Sequence, residues 1–310
     1  MESTLPTTHP IHSDLATYPL HRTTHLLKDR NSVVCGVLGG VPRINPNAPN
    51  EWDRVQACAV KDIKAADAAL HYERKSLNHH RGPFPAVAMG ISHGGGQTQP
   101  SLLYQTPHNR PILNALLCSP SLSRIAGFGN CLFRAYAPRL HSHSLETLDA
   151  LEGSNSTLVR PFPGSAFAAC TVNFGPNTAT YPHRDAGNLT WGWCSVTALG
   201  KFNADRGGHL VLWDFNCVIR FPSGSTIIIP SALVRHSNVS IGAGETRYSV
   251  AQYSSGGLFR WVNAGFQSEE SRLKCAPELT RKQRESLIKE EGARRWALGL
   301  GMLSTVQELL

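Results

Sequence analysis

No Cys-x-x-Cys pair occurs anywhere in this chain. Its eight cysteines, at positions 35, 58, 118, 131, 170, 194, 217 and 275, are scattered, which excludes a zinc ribbon or knuckle and a thioredoxin-like redox motif. They are expected to act as small buried hydrophobes in a reducing compartment. Nor is there an apolar run of the roughly 20 residues that a bilayer span requires; the longest, Val33 to Val41, is short and broken by glycines. The first residues hold Glu2, prolines and threonines in place of a basic segment followed by an apolar one, so no signal peptide is expected. The protein is expected to be intracellular, monomeric and without a membrane partner. Charged residues are also sparse, 17% against 41% hydrophobic, a balance that suits a globular protein rather than a disordered one.

What charge there is leans one way. Thirty Lys and Arg stand against 22 Asp and Glu, a net charge of +8 with a pI near 9.2, consistent with an anionic partner, of which nucleic acid is the commonest. The 310 residues suffice for a large core in one large domain or two small ones.

Along the chain, residues 1–30 are rich in Thr, His, Ser and Pro without a period and are expected to be poorly ordered, with His9, His12, His21 and His25 solvated. SVVCGVLGGVPR, residues 32–43, reads as a hairpin turning at Gly39 and Gly40. A Pro-Asn loop follows, and Asn50 can cap a helix to about residue 74, with Trp52, Val55, Ala59, Ile63, Ala66 and Leu70 on one face. AVAMGISHGGGQ, residues 86–97, begins as a buried strand and ends in a glycine loop beside His93, read as a loop that needs positive φ. Residues 109–152 are expected to be helical in pieces broken at Pro120, at Gly127 to Gly129 and at Pro138.

From Ala166 the character changes. Strand-like runs near 168–175, 191–199, 208–213, 216–221, 225–229, 233–239, 246–253 and 257–263 are separated by turns such as FGPN, NADRGG and IGAGE. So many short strands at this spacing predict an α+β protein: a two-sheet jelly roll with the earlier helices packed on one outer face. The tail from Pro277 returns to helix, with Gly292 as a stop, and RKQRESLIKEEGARRW is basic with interleaved acids. It suits either a phosphate-contacting helix or a solvated face.

Within the β-rich half, YPHRDAGNL (181–189) places His183 and Asp185 two residues apart at the start of a strand-like run. Side chains at i and i+2 share one side of a strand, so an imidazole and a carboxylate would meet at one point. His236, in SALVRHSNVS, is the best third ligand. Two His and one carboxylate on one face of a metal leave the opposite face open, the arrangement of non-haem Fe(II) oxygenases. His236 and Arg247 flank the turn at Gly242 to Gly244 and are expected on neighbouring strands of one hairpin. By period two Arg247, Ser249, Ala251 and Tyr253 share a face, and Tyr248, Val250 and Gln252 the other.

An inward Arg is costly unless it meets an anion, and its fork matches a carboxylate. The distal carboxylate of 2-oxoglutarate is such an anion; its other end can chelate iron at two open positions, with O2 at the last. An HxD pair alone is common by chance. The order HxD, a His about fifty residues on and an Arg eleven beyond that is far more specific. His-Arg-Asp also matches the start of a kinase catalytic loop. There the Asn follows the Asp by five residues; here Asn188 follows by three, and no Asp-Phe-Gly accompanies it, so a kinase is excluded.

NFGPNTATYPHRDAGNLTWGWCSVTALG, GGHLVLWDF, IIIPSALVRHSNVSIGAGETRYSVAQYSSGGLFRW and GISHGGGQ together resemble the TET/JBP family of 2-oxoglutarate and iron(II) dioxygenases, in the set expanded in mushroom-forming fungi. The resemblance covers roughly residues 30–310. It implies a double-stranded β-helix, with a mainly helical support region at 31–165, the core at 166–266 and C-terminal helices at 277–310. It implies stepwise oxidation of the methyl group of 5-methylcytosine in a DNA duplex, the base flipped into the pocket, and hence a nuclear protein. Carried over by position, His183, Asp185 and His236 would bind Fe(II), and Arg247, Ser249 and Asn173 would bind 2-oxoglutarate. Asn188 would read the base edge, with Tyr253 near the flipped base. Animal members carry a base-contacting His eight positions beyond the Arg, where this chain has Ser255, and they also have a cysteine-rich zinc region that is missing here. Base identity therefore stays open between 5-methylcytosine and N6-methyladenine, thymine or an RNA base. An oxygenase acting on protein side chains would share the whole iron site.

Overall fold

The computed structural model describes residues 16–19, 24–43, 45–274 and 279–310. Strands β1 (Ala16–Pro19), β2 (His25–Lys28) and β3 (Val34–Gly40) lead into helices α1 (Glu51–Ala69) and α2 (Arg74–Leu77), then strands β4 (Ala86–Ser92) and β5 (Ser101–Leu102). Three helices follow: α3 (Asn109–Leu117), α4 (Pro120–Tyr136) and α5 (Pro138–Ser154). The roll proper is β6 (Ala169–Asn173), β7 (Cys194–Lys201), β8 (Leu210–Leu212), β9 (Cys217–Arg220), β10 (Thr226–Ile229), β11 (His236–Asn238) and β12 (Thr246–Tyr253). Helices α6 (Gly256–Asn263), α7 (Glu269–Lys274) and α8 (Arg281–Gly301) follow, and a 3-10 turn at Gln307–Leu309 comes after them.

Two sheets form the jelly roll: β2-β3-β10-β7-β12-β6-β4-β5 and β1-β9-β8-β11. The larger carries the helices on its outer face, as the alternation in β12 dictates. Tyr248 and Val250 join Ile63, Leu113, Leu122 and Ile125 of the helices in one buried cluster, and Gln252 Nε2 donates to Ala126 O of α4 at 3.1 Å. Each such Leu or Ile, fully buried, contributes about 1.5–3 kcal/mol. The opposite face of β12, with Arg247, Ser249 and Ala251, is buried inside the roll.

Several sequence expectations are corrected. Within the expected disordered segment, residues 16–19 and 25–28 are strands; His9, His12 and His21 lie outside the described residues, and His25 is exposed. Residues 32–43 hold one strand, not a hairpin: β3 pairs with β2 and β10, because the larger sheet offers it partners on both sides. Helix α1 stops at Ala69. Gly127 to Gly129 do not break α4, since Gly129 serves close packing: a Cβ there would sit 2.2 Å from Ser195 Oγ of β7. Residues 257–263 form α6 rather than a strand, burying Leu258 and Phe259 against Leu148 and Leu151 of α5. Pro277 lies outside the described residues; Thr280 caps α8, and Gly292, half-buried, lies inside the helix rather than ending it, with open space where a Cβ would sit. Cys170, Cys194 and Cys217 are buried, whereas Cys58, Cys118 and Cys131 are exposed, and Cys275 lies outside the described residues.

One correction bears on the site. His236 and Arg247 are not on one hairpin. β11 belongs to the smaller sheet and β12 to the larger, so the turn at Gly242 to Gly244 crosses between layers, as successive strands of a jelly roll do.

Candidate metal centre

His183 and Asp185 lie outside any regular strand, on an extended segment beside β11. His183 and His236 exchange both backbone hydrogen bonds, at 3.0 and 2.9 Å, which sets their side chains opposite each other. The rings stand 4.3 Å apart at 49°. The Asp185 N–H donates to Ser231 O at 3.0 Å, and its carbonyl accepts from Asn188 N at 2.9 Å. The two-residue spacing therefore works through a ladder of local pairings rather than a strand of its own.

Each imidazole is oriented by a carbonyl: His183 Nδ1 lies 2.7 Å from Tyr181 O and His236 Nδ1 lies 2.9 Å from Val234 O. A carbonyl only accepts, so Nδ1 carries the proton and each Nε2 keeps its lone pair. Those atoms lie 3.7 Å (His183) and 3.9 Å (His236) from the Asp185 carboxylate oxygens. Both spans fit within twice a bond of about 2.1 Å, so one ion can touch the carboxylate and either ring. No other group of three His, Cys, Asp or Glu among the described residues is suited to a metal. Burial first, then the neighbouring His236, pushes the His183 pKa down to about 4, leaving the neutral, ligating imidazole.

Arg247 is 1% exposed. Its Nη1 donates to Thr178 O at 3.0 Å and to Thr178 Oγ1 at 2.8 Å, and its guanidinium lies 6.0 Å and 5.8 Å from the rings of Phe202 and Phe221. Nε and Nη2 have no partner among the described residues. Burial pushes its pKa down to about 10. Two residues along, Ser249 Oγ accepts from Asn173 Nδ2 at 2.9 Å across the β6–β12 ladder, while Asn173 Oδ1 is buried with no partner among the described residues. The roll thus encloses a cation, an amide oxygen and guanidinium N–H groups without partners, and buried polar groups in that state call for a polar ligand. Tyr253, on the same face, bonds Thr171 Oγ1 at 3.0 Å.

Of the remaining sequence candidates, Asn188 is half-buried and its Nδ2 donates to Ser231 Oγ at 3.1 Å. His93 heads a loop whose Gly94, Gly95 and Gly96 have φ of +146°, +57° and +92°, the conformations that select glycine. Its N–H donates to Ser255 Oγ at 3.1 Å. Sequence reasoning missed Thr178, Ser231 and Arg81. The Arg81 carbonyl accepts from Tyr181 N at 2.8 Å, its Nε is buried with no partner among the described residues, and its charge lowers the pKa of His183. None of the three sits in a periodic run, so only the fold reveals them.

No family model and no curated protein matches this chain. Solved structures do. NgTET1 in complex with 5mC DNA aligns with a TM-score of 0.54 and 14% identity, over 86% of this chain and 92% of that one. The chain has the fold of that TET protein. A 2OG-Fe(II) oxygenase family oxidoreductase from Burkholderia pseudomallei aligns at a TM-score of 0.36 and 19% identity, over 70% and 96% of the two chains. A Pseudomonas putida prolyl-4-hydroxylase aligns at 0.33 and 12%, over 65% and 86%.

Proposed function

We propose that this protein is an Fe(II)- and 2-oxoglutarate-dependent dioxygenase that oxidises the methyl group of 5-methylcytosine in DNA. The observation that carries this is the pairing of a His-Asp-His cluster with a buried guanidinium that has no acid partner among the described residues inside one roll. A dicarboxylate 2-oxo acid matches both ends: its chelating end suits a metal held on one face, and its distal carboxylate suits Arg247.

His183, Asp185 and His236 hold the metal, and the carbonyls of Tyr181 and Val234 keep both Nε2 atoms turned to it. Arg247 anchors the distal carboxylate, with Thr178 fixing its Nη1 and leaving Nε and Nη2 to donate. Ser249 and Asn173 border that carboxylate, and Arg81 offers a second cation on the metal side. Bound iron with 2-oxoglutarate and O2 supplies oxidation of a substrate C–H bond coupled to decarboxylation of the 2-oxo acid to succinate.

A DNA substrate rests on the net charge of +8 and on the fold shared with a TET protein bound to 5mC DNA. A methyl group inside a duplex cannot reach an interior metal, so the base is flipped into the roll, past Tyr253. Such a role places the protein in the nucleus; no described helix is long and apolar enough to cross a membrane. The test is anaerobic loading with Fe(II), then 2-oxoglutarate, O2 and separately methylated duplexes, read by nucleoside mass spectrometry. Oxidised 5-methylcytosine with matching succinate is expected. Turnover confined to methylated adenine, thymine, RNA or a peptide would reassign the substrate, and the absence of succinate would remove the oxygenase assignment.

A further inference from the structure

Asp185 is the ligand with the least apparent support. No hydrogen bond fixes its carboxylate among the described residues, whereas each histidine ring is held by a carbonyl. What holds Asp185 is its turn. The chain folds back at 186–187, with Asn188 N donating to Asp185 O at 2.9 Å. Three backbone bonds nail this turn to its surroundings: Asp185 N to Ser231 O, Leu189 N to Ser254 O and Gly256 N to Gly187 O. One side-chain bond joins them, from Asn188 Nδ2 to Ser231 Oγ at 3.1 Å.

Ser231 is 2% exposed and occupies the tight connection between β10 and β11, where Leu233 N and Val234 N both donate to Pro230 O. Five residues later the same segment delivers His236, and Val234 supplies the carbonyl that orients the His236 ring. The Asn188–Ser231 pair thus bridges the turn bearing Asp185 and the connection bearing His236. One of its two amide N–H groups is given to the scaffold, and the space beside the pair is a small cleft of about 10 Å³ lined by Asn188 and Ser231 together with Phe133, Phe167, Leu189 and Trp193, too small for a base.

Resting on the metal-centre reading above, we infer that Asn188 and Ser231 are positioning residues that set the Asp185 carboxylate against the two imidazoles, so that Asn188 acts on the metal through the turn that carries Asp185. Outer partners of this kind change metal affinity by about 10- to 100-fold when removed. Because both changes remove the one bond between the two side chains, the losses that run through that bond are shared and not summed.

The experiment is anaerobic titration of the full chain with Co(II), read by its visible d–d absorption, for wild type, Asn188→Ala, Ser231→Ala and the double variant, with thermal melting of each metal-free protein alongside. Wild type binds one Co(II); each single variant is expected to bind about 10-fold more weakly with an altered band, and the double variant no more weakly than either single. If Ser231→Ala fails to fold, the half-buried Asn188→Ala carries the comparison alone. Wild-type affinity and band shape in Asn188→Ala would overturn the inference, and a raised KM for methylated duplex beside them would assign Asn188 to the base edge alone. A wild type that binds no Co(II) would instead overturn the metal centre, and this inference with it.

Discussion

Replacing Arg247 with Met separates stability from co-substrate binding, because the two should move in opposite directions. In the folded protein the guanidinium is 1% exposed and meets neutral groups: the Thr178 carbonyl and hydroxyl and two phenyl rings. Burial pushes its pKa down from the ordinary guanidinium value to about 10. A base whose folded pKa is depressed opposes folding wherever the unfolded chain is protonated, so at neutral pH the buried charge costs on the order of 3 kcal/mol, relieved only as pH rises through about 10. Arg247→Met removes that cost but leaves the Thr178 oxygens without their donor, which gives back about 1–3 kcal/mol. The metal-free variant should therefore melt close to or above wild type.

For 2-oxoglutarate the change has the other sign. Removing one partner of a desolvated charge pair costs about 2–5 kcal/mol, or roughly 30- to 4000-fold in affinity at about 1.4 kcal/mol per decade. Anaerobic calorimetry with the Fe(II)-loaded protein measures this directly. A second readout is the ligand-induced rise in melting point: wild type at 100 times its Kd gains about 2.7 kcal/mol, and the variant should gain less than about 1 kcal/mol at the same concentration while still binding iron. Unchanged 2-oxoglutarate affinity in Arg247→Met would refute the anchoring role and require another cation to hold the carboxylate.

The metal ligands should act as a unit: His183→Ala or Asp185→Ala is expected to abolish both succinate formation and metal binding, and full activity in either would sink the iron assignment. His183 has a folded pKa of about 4, below its ordinary 6.5, so the metal-free protein should lose stability as pH falls from 6.5 towards 4, where the unfolded chain binds the proton first. Urea midpoints across that range should fall more steeply for wild type than for His183→Gln. On α8, Arg281 is paired with Glu285, and Arg295 with Glu269 and Glu291, which favours the solvated-face reading of that helix. Neutralising Lys282, Lys289 and Arg294 should leave the slope of log DNA affinity against log salt unchanged; a fall of about 0.9 per residue would instead place the helix on the phosphates. Phe221 is fully buried in the roll beside Arg247, and Phe221→Ala should cost about 3–5 kcal/mol in chemical denaturation.

Local pattern sufficed for much of this molecule. Period-two alternation put Arg247 and Ser249 on the face of β12 opposite Tyr248 and Val250, and the fold keeps it so, because a pleated strand buried on both sides leaves each residue one choice of face. The spacings of His183, Asp185 and His236 were enough to nominate three residues whose ligating atoms the fold brings within 4.8 Å of one another. Period failed where the determinant was a neighbour distant in sequence. Residues 257–263 read as a strand, yet they are helical, because Leu258 and Phe259 find their partners on α5. Gly129 reads as a break, yet it is a contact with β7. That His236 and Arg247 lie in different sheets depends on strand order, which no local spacing encodes. The Thr178 hydroxyl under Arg247 and the Ser231 bridge between two ligand-bearing turns belong to the same class: each joins segments more than 40 residues apart, a proximity set only by how two twisted sheets close on each other.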